Sequence, residues 1–261
     1  MKREESISTE DYRRQFNFRE EGGFLVGIER EFHLADMKGR IVPNAQQAIE
    51  ELDDVNRFGY ELSACQLESR TVPCKLESIK SELLKNELLM ERMEKELDLK
   101  RLSFEAGPDN MPLDIYPDPT GRYQEITKDM PQQVLLAACQ IIGTHVHIGM
   151  PDYKTALLVY NKVIDNFNKL CKLGDGSSGK RLEIYKIMAS DCTPKRYDDW
   201  NHFYSAAIVR NFAVDPRKCW DLIRISVHGT IEFRMFGTTD DLDKIVGWAE
   251  ECHRMCENAL Q

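Results

Sequence analysis

Pairs of chemically active side chains, two residues apart, recur in three short segments of the sequence. They are Glu29 and Glu31 in GIEREF, His145 and His147 in THVHIG, and Glu232 and Arg234 in GTIEFR. The apolar residues around them predict β-strands, and alternate side chains of a strand point to the same face. Each pair is therefore predicted to project together from one face of a sheet, where carboxylates and imidazoles could bind a divalent cation.

Each pair, taken by itself, also has a purely structural interpretation. The acids could form salt bridges on a solvated strand face with Arg30, Arg70 or Arg234, and the histidines could be hydrogen-bonded at a sheet edge. Glu232 and Arg234 could form an ordinary cross-strand ion pair, which contributes little where it is exposed. The metal hypothesis rests on the occurrence of all three pairs in one chain.

Two further acids, Glu61 and Glu68 in YELSACQLES, strengthen the metal hypothesis if they join the same face. Two carboxylates about 5 Å apart repel by roughly 3 kcal/mol at an effective dielectric constant near 20. A fold tolerates several such acids only with protons, cationic side chains or metal ions between them. Oxygen-rich sites suit Mg²⁺ or Mn²⁺, and an added imidazole is compatible with Mn²⁺.

Hydrophobic periodicity predicts the elements that position these residues. In residues 24–36 apolar residues of one parity oppose the acids, which indicates a half-covered antiparallel strand. Further strands are predicted over 60–73 (broken near 63–65), 101–107, 143–150, 220–226 and 229–237. Helices are predicted over 76–100, 131–142, 151–172 and 199–211, with a last helix capped by Thr239, a long loop over 107–126 and a flexible loop over 174–180. These elements predict one α+β domain over residues 23–261, an antiparallel sheet backed by helices, after an N-terminal arm of residues 1–22.

Glycines mark two further places where the backbone could approach another group. Gly143 and Gly149 flank the histidine pair and predict close approach of another strand or a ligand. The segment GDGSSGKR lacks the spacing of a phosphate-binding P-loop and follows a helix rather than a strand. A flexible loop that brings Lys180 and Arg181 over a ligand is its remaining functional interpretation.

Composition and charge limit the class of protein and its partners. The net charge of −9 and the lack of a basic stripe argue against nucleic acid. The polar N-terminus has no signal-peptide core and no apolar run could span a bilayer, so we expect a cytoplasmic protein with no membrane partner. The eight irregularly spaced cysteines indicate reduced thiols. A metal site at Cys252 and Cys256 is the less favoured interpretation, since no second cysteine pair would complete it.

The motifs, in their order, resemble the glutamate–cysteine ligase superfamily and especially its carboxylate–amine ligase branch. The matching segments span about residues 23–255: GIEREF, YELSACQLES, GPDNMPLDIYPDPTGRY, GTHVHIGMPD, SSGKRLEIYK, YDDW, VDPRKCWDLIR and GTIEFR. The resemblance implies a glutamine-synthetase-like catalytic fold, a curved antiparallel sheet with helices on its outer face, whose concave face holds two or three Mg²⁺ or Mn²⁺ ions. Family members usually continue further beyond GTIEFR, so part of the pocket is expected to be missing, reshaped or supplied by a second subunit of a homo-oligomer.

The resemblance also implies roles for individual residues. The metal ligands would be Glu29, Glu31, Glu61, Glu68, His145 and Glu232. Arg234 would contact the transferred phosphate, and His147 would lie behind the ligands or contact the substrate. The expected nucleotide contacts are Lys180, Arg181, Lys186 and Arg196, and the expected substrate contacts are Arg122 and Tyr123.

The reaction implied by the resemblance is ATP-dependent amide formation between an amino-acid carboxylate, such as that of glutamate, and an amine. The carboxylate attacks ATP to give an acyl phosphate and ADP, and the amine then displaces phosphate. Bound metal ions would neutralise the repulsion between the anionic nucleophile and the triphosphate. One alternative is a metal-dependent hydrolase. The other is a non-catalytic descendant that binds a nucleotide or amino acid, which the number of mutually repelling acids argues against.

Overall fold

The structure, a computed structural model, describes residues 7–261. Its strands are β1 (Val26–Asp36), β2 (Phe58–Tyr60), β3 (Gln66–Arg70), β4 (Leu99–Leu102), β5 (Thr144–Gly149), β6 (Ile223–Ser226) and β7 (Thr230–Phe236). Its helices are α1 (Thr9–Arg13), α2 (Ala45–Leu52), α3 (Ile79–Leu97), α4 (Arg122–Thr127), α5 (Gln132–Gln140), α6 (Tyr153–Val163), α7 (Phe167–Gly174), α8 (Lys180–Met188), α9 (Trp200–Val209) and α10 (Leu242–Asn258). Short 3₁₀ helices cover Glu20–Gly22, Leu76–Ser78, Ile164–Asn166 and Pro216–Lys218.

The strands form one antiparallel sheet in the order β2-β3-β1-β5-β7-β6, with β4 also paired to β1. Strand β1 is central, because β3 pairs along one of its edges while β5 and β4 share the other. The first strand of the chain therefore supplies the middle of the sheet, and every candidate residue on it has neighbours on both sides.

Side-chain alternation divides the sheet into an apolar face and a polar face. Val26, Ile28, Phe32 and Leu34 of β1 are buried, and helices α6, α7 and α10 pack against β1, β5, β6 and β7. Arg30 shares this parity and points to the helices, where it is paired with Glu87 of α3. The acids lie on the opposite face of the strand. Arg30 therefore does not form the salt bridge with them that was one interpretation of the sequence.

The segment before β1 packs onto the same core. Ser8 caps α1 by accepting a hydrogen bond from the amide of Asp11. Tyr12 and Phe16 are buried against the aromatic rings of α9. The predicted N-terminal arm, as far as residues 7–22 describe it, is thus an integral part of the packing.

Local backbone conformation explains where predicted strand boundaries were wrong. Strand β1 begins at Val26 rather than residue 24, because Phe24 has a φ of 60° and cannot continue a strand. Asp98 ends α3 in the left-handed conformation and turns the chain directly into β4. The strand predicted over 101–107 is therefore Leu99–Leu102.

Helix boundaries also differ from the prediction. Asp241, not Thr239, caps the last helix, since its carboxylate accepts the amide hydrogen bond of Lys244. The helix predicted over 151–172 is interrupted by a 3₁₀ turn at Ile164–Asn166. Helices α4 and α8 were not predicted at all, and α8 begins inside the segment interpreted as a flexible loop.

Two further findings concern membrane-spanning helices and the cysteines. Within residues 7–261 no helix is both long and apolar enough to cross a membrane. All eight cysteines carry free thiols, as the irregular spacing predicted.

Candidate active site

The register of the sheet brings the predicted residues together on its polar face. Glu29 lies opposite His145 on neighbouring strands, Glu31 lies opposite Glu68, and His147 lies opposite Glu232. The acids and imidazoles thus come from strands β1, β3, β5 and β7, and they form a continuous floor, as the alternation of the sequence predicted.

A cavity of about 530 Å³ opens above this floor. Its lining includes Glu29, Glu31, Glu61, Glu68, His145 and Arg234 as well as both expected substrate contacts, Arg122 and Tyr123. His147 and Glu232 lie deeper, with 7% and 1% of their surface exposed. All the predicted metal ligands and the two expected substrate contacts therefore lie in or directly beneath one hollow.

Glu29, His147 and Glu232 form the tightest group of potential metal ligands. One ligand atom of each lies within 4.8 Å of the others. His147 Nδ1 is hydrogen-bonded to Thr230 Oγ1 at 2.8 Å, which fixes the ring and directs Nε2 toward the acids. Nε2 is 3.3 Å from a Glu29 oxygen, but the geometry makes no hydrogen bond and the buried nitrogen has no other partner among residues 7–261. A buried imidazole nitrogen and two carboxylates facing one point fit a divalent cation.

This geometry alters the expected role of His147. The resemblance placed it behind the ligands or against the substrate, whereas its Nε2 atom faces Glu29 within the tightest group. His145 lies between the two acids of β1, with Nδ1 3.3 Å from Glu29 and Nε2 3.7 Å from Glu31. We infer that either imidazole can reach a cation on this floor, and that His147 is the better placed for one held by Glu232.

Electrostatics separate the acids into two sets. Burial alone would raise the pKa of Glu29, but the charge of His147 and the hydrogen bond with His145 hold it well below its usual value. Burial, reinforced by the charge of Glu31, raises the pKa of Glu61 to about 8. Burial and the charges of Glu29 and Glu61 also raise the pKa of Glu68. The environment thus favours the ionised form of Glu29 and the protonated forms of Glu61 and Glu68, and a cation held by Glu61 and Glu68 would displace protons from them.

Two arginines hold Glu232 in place. Arg224 donates from Nε and Nη2 to the two carboxylate oxygens at 2.7 and 3.0 Å, and Arg234 donates to Oε1. Burial would raise the pKa of Glu232, but these two guanidinium groups keep it well below its usual value. Glu232 is therefore a fixed anion whose oxygens are already shared with cations.

Arg224 is the main functional residue that sequence reasoning missed. It pairs with Glu232 across the β6–β7 hairpin and lines the cavity. The hairpin around His228 and Gly229 was predicted, and counting back from that turn places Arg224 opposite Glu232. His228, Arg217 and Trp220 also line the cavity and carried no comparable signal.

The four expected nucleotide contacts do not join the main cavity. Lys180 lines a separate cavity of about 710 Å³ together with Phe104 and Arg40. The Arg181 side chain is buried and bonded to backbone carbonyls. Lys186 is exposed, and Arg196 is paired with Asp165 at 2.6 Å. Nucleotide contact by these residues stays a prediction, and the buried position of Arg181 points to another role.

Comparison with known proteins agrees with the motifs. The model for glutamate-cysteine ligase family 2 matches residues 25–168, which is more than half of the chain and includes β1, β3 and β5. The chain belongs to glutamate–cysteine ligase family 2. "Putative glutamate--cysteine ligase 2" of Gloeobacter violaceus is 24% identical to this family 2 chain over 242 residues, covering 85% of the chain and 64% of that protein. "Putative glutamate--cysteine ligase 2-3" of Rhodococcus jostii is 30% identical over 155 residues, covering 58% of the chain and 19% of that protein.

The fold of this family 2 member is also found among solved structures. The crystal structure of a bifunctional glutathione synthetase from Pasteurella multocida superposes with a TM-score of 0.64 at 13% identity, over 89% of this chain and 39% of that one. The predicted fold class, an antiparallel sheet backed by helices, is thereby confirmed. The chain spans at most 64% of the length of the two relatives named above.

Proposed function

We propose that this family 2 chain is an ATP-dependent ligase that joins an amino-acid carboxylate, such as that of glutamate, to an amine. The observation that carries the proposal is the floor itself, where acids, two imidazoles and Arg234 from four separate strands meet in or directly beneath one cavity. A site for water-activating hydrolysis would need fewer anions. A site that must hold a triphosphate and a carboxylate together needs cations that neutralise both.

The residues divide into two candidate cation positions. Glu29, His147 and Glu232 would hold one Mg²⁺ or Mn²⁺ ion, and Glu31, Glu61, Glu68 and His145 would hold another. Ions bound there would neutralise the charge of ATP and of the attacking carboxylate, and would align them for transfer. Because the raised pKa values of Glu61 and Glu68 favour their protonated forms in the free protein, metal binding should release protons to solvent.

The arginines would act on the transferred group and on the floor. Arg234 lines the cavity, and its planar guanidinium would stabilise the charge on the phosphoryl group as it moves to the carboxylate. Arg224 would keep Glu232 ionised and in place. The acyl phosphate would then be attacked by the amine, with phosphate leaving, and no protein nucleophile is required.

The test is ADP release with Mg²⁺ or Mn²⁺ against a panel of amino acids and amines. A paired acid and amine should stimulate ADP release. Glu29→Gln should abolish this signal and remove the Mn²⁺ binding at the position formed by Glu29, His147 and Glu232, which calorimetry would detect as a lower number of bound ions. Glu91→Gln is the matched control, because Glu91 is exposed on α3. Cleavage of a substrate by water, with no ATP present, would instead identify a hydrolase. Absence of stimulation by every acid and amine would refute the ligase.

A further inference from the structure

Arg181 is a fully enclosed cation that no acid neutralises by direct contact. Only 5% of its surface is exposed, and no ion pair within 4.0 Å involves it anywhere in residues 7–261. Its guanidinium donates instead to three backbone carbonyls, those of Ile142 at 2.8 Å and of Met235 and Arg234 at 3.3 Å. Burying a charge is costly unless it is fully hydrogen-bonded, so this arrangement calls for a reason.

The three carbonyls lie at an irregularity between β5 and β7. Thr144 pairs with Phe236, whereas Val146 pairs with Phe233, so β7 contains one extra residue at Arg234–Met235. A bulge of this kind leaves backbone groups without ladder partners and changes the direction of the side chains on it. Arg181 supplies donors to the carbonyls of both bulge residues, and one of these residues, Arg234, lines the cavity with its side chain.

The same guanidinium also adjoins the backbone that holds Glu31. The amide of Gly143 donates to Glu31 Oε2 at 2.7 Å. A β-carbon on Gly143 would collide with Arg181 Nη2, so the guanidinium packs directly on this glycine. Arg181 therefore contacts, through backbone, the two segments that aim Arg234 from β7 and Glu31 from β1.

We propose that Arg181 is a positioning residue, which fixes the β7 bulge and the Ile142–Gly143 backbone so that Arg234 and Glu31 hold their places beneath the transferred phosphate. The role in phosphate transfer rests on the proposed ligase function, whereas the positioning of the backbone does not. Three carbonyls in different directions require the planar, five-donor fork of arginine. Lysine keeps the charge but, as a single compact ammonium, cannot span all three.

The experiment compares Arg181→Lys with Arg101→Lys. The Arg101 side chain is 11% exposed and bonded to Glu87 and Glu94, on the helix side of the sheet. Arg101→Lys therefore removes a buried guanidinium group on the other side of the sheet and serves as the matched control. Thermal unfolding shows that each variant folds, steady-state ADP release gives kcat and KM for ATP, and hydrogen exchange monitors the amides of Gly143 and Met235.

We expect Arg181→Lys to lower kcat by about 100-fold with KM for ATP within about threefold, because a misplaced transition-state donor affects the chemical step. Amide exchange at Gly143 and Met235 should rise in this variant and not in Arg101→Lys. An unchanged kcat, or a loss no greater than that of Arg101→Lys, would overturn the proposal. So would a rise in KM for ATP with unchanged kcat, which would indicate direct nucleotide contact.

The exchange measurement separates this proposal from the ligase assignment. If the wild-type protein releases no ADP with any substrate, the ligase function fails but the exchange comparison still stands. Faster exchange at Gly143 in Arg181→Lys alone then supports the positioning role. Equal exchange in the two variants refutes it.

Discussion

Glu61 should make the metal-free protein less stable at neutral pH, and Glu61→Gln should relieve that cost. The carboxyl lies among other acids in the cavity, where burial and then the charge of Glu31 raise its pKa to about 8. Glutamine keeps the size of the side chain and removes the ionisation. The variant is therefore expected to be more stable than the wild-type protein when no divalent ion is present.

The sign and size follow from proton linkage. Between the ordinary pKa of 4.5 and the folded value of about 8, the folded protein keeps a proton that the unfolded chain has lost. The contribution of Glu61 to stability is thus most favourable below pH 4.5 and becomes less favourable as the pH rises toward 8. The difference between the two pKa values corresponds to at most about 5 kcal/mol, and screening by cavity water reduces the expected gain in Glu61→Gln to about 1–3 kcal/mol.

Urea unfolding in EDTA tests this prediction at about pH 5 and about pH 8, because most of the change in stability linked to Glu61 falls between these two pH values. The stabilities of the wild-type protein and Glu61→Gln should converge at the lower pH and separate at the higher one, with exposed Glu91→Gln following the wild type. Saturating Mn²⁺ should reverse the order, since a ligand that binds only the folded state stabilises it and the wild type binds more tightly. If Glu61→Gln were no more stable than the wild type near pH 8 without metal, the assignment of Glu61 to a repulsive acid cluster would be wrong.

Two further predictions concern the histidine strand and the glycines. Thr230→Val removes the hydroxyl that orients His147 and should weaken Mn²⁺ binding, measured by calorimetry, about 10–100-fold. Thr230→Ser keeps a hydroxyl and should bind Mn²⁺ as the wild-type protein does. Equal affinities in all three proteins would contradict the role of the hydroxyl. Gly149→Ala would press a β-carbon onto the Gly22 carbonyl and should cost about 3 kcal/mol in urea unfolding. Gly247→Ala, in open space on α10, should instead gain about 0.5–1 kcal/mol, and similar effects at both glycines would show that the close approach is unimportant.

The floor could be predicted from the sequence because strand alternation is a local property. The positions of Glu29, Glu31, His145 and His147 follow from parity alone once the strands are recognised. Gly149 was predicted to mark close backbone approach, and it does lie against the carbonyl of Gly22. The strand positions depend on residues adjacent in sequence, which is why pattern reasoning reached them, whereas the glycine indicated a close approach without identifying Gly22 as the partner.

The remaining features depend on contacts between distant segments. Nothing near Arg181 in the sequence indicates that its side chain turns inward to three carbonyls. Those carbonyls belong to Ile142, just before β5, and to two residues of β7, all at least 39 residues away. Asp241 rather than Thr239 caps the last helix. The sequence alone could not distinguish them, because both residue types can make the capping hydrogen bond. The start of α8 was missed because the glycines and serines before Lys180 are typical of loops.

The central position of β1 has a consequence for how the chain is made. This strand is translated long before its neighbour β5, since Ile148 lies more than a hundred residues after its partner Val26. Similarly, Tyr12 packs against the distant Phe203 of α9. Such distant pairings slow folding, because the entropy cost of closing a long loop comes before the stabilising contacts can form. Strand β1 can pair with β3 and β4 soon after it is translated. The edge on which Glu29 lies opposite His145 stays open until β5 has been made, and β6 and β7 complete the sheet last.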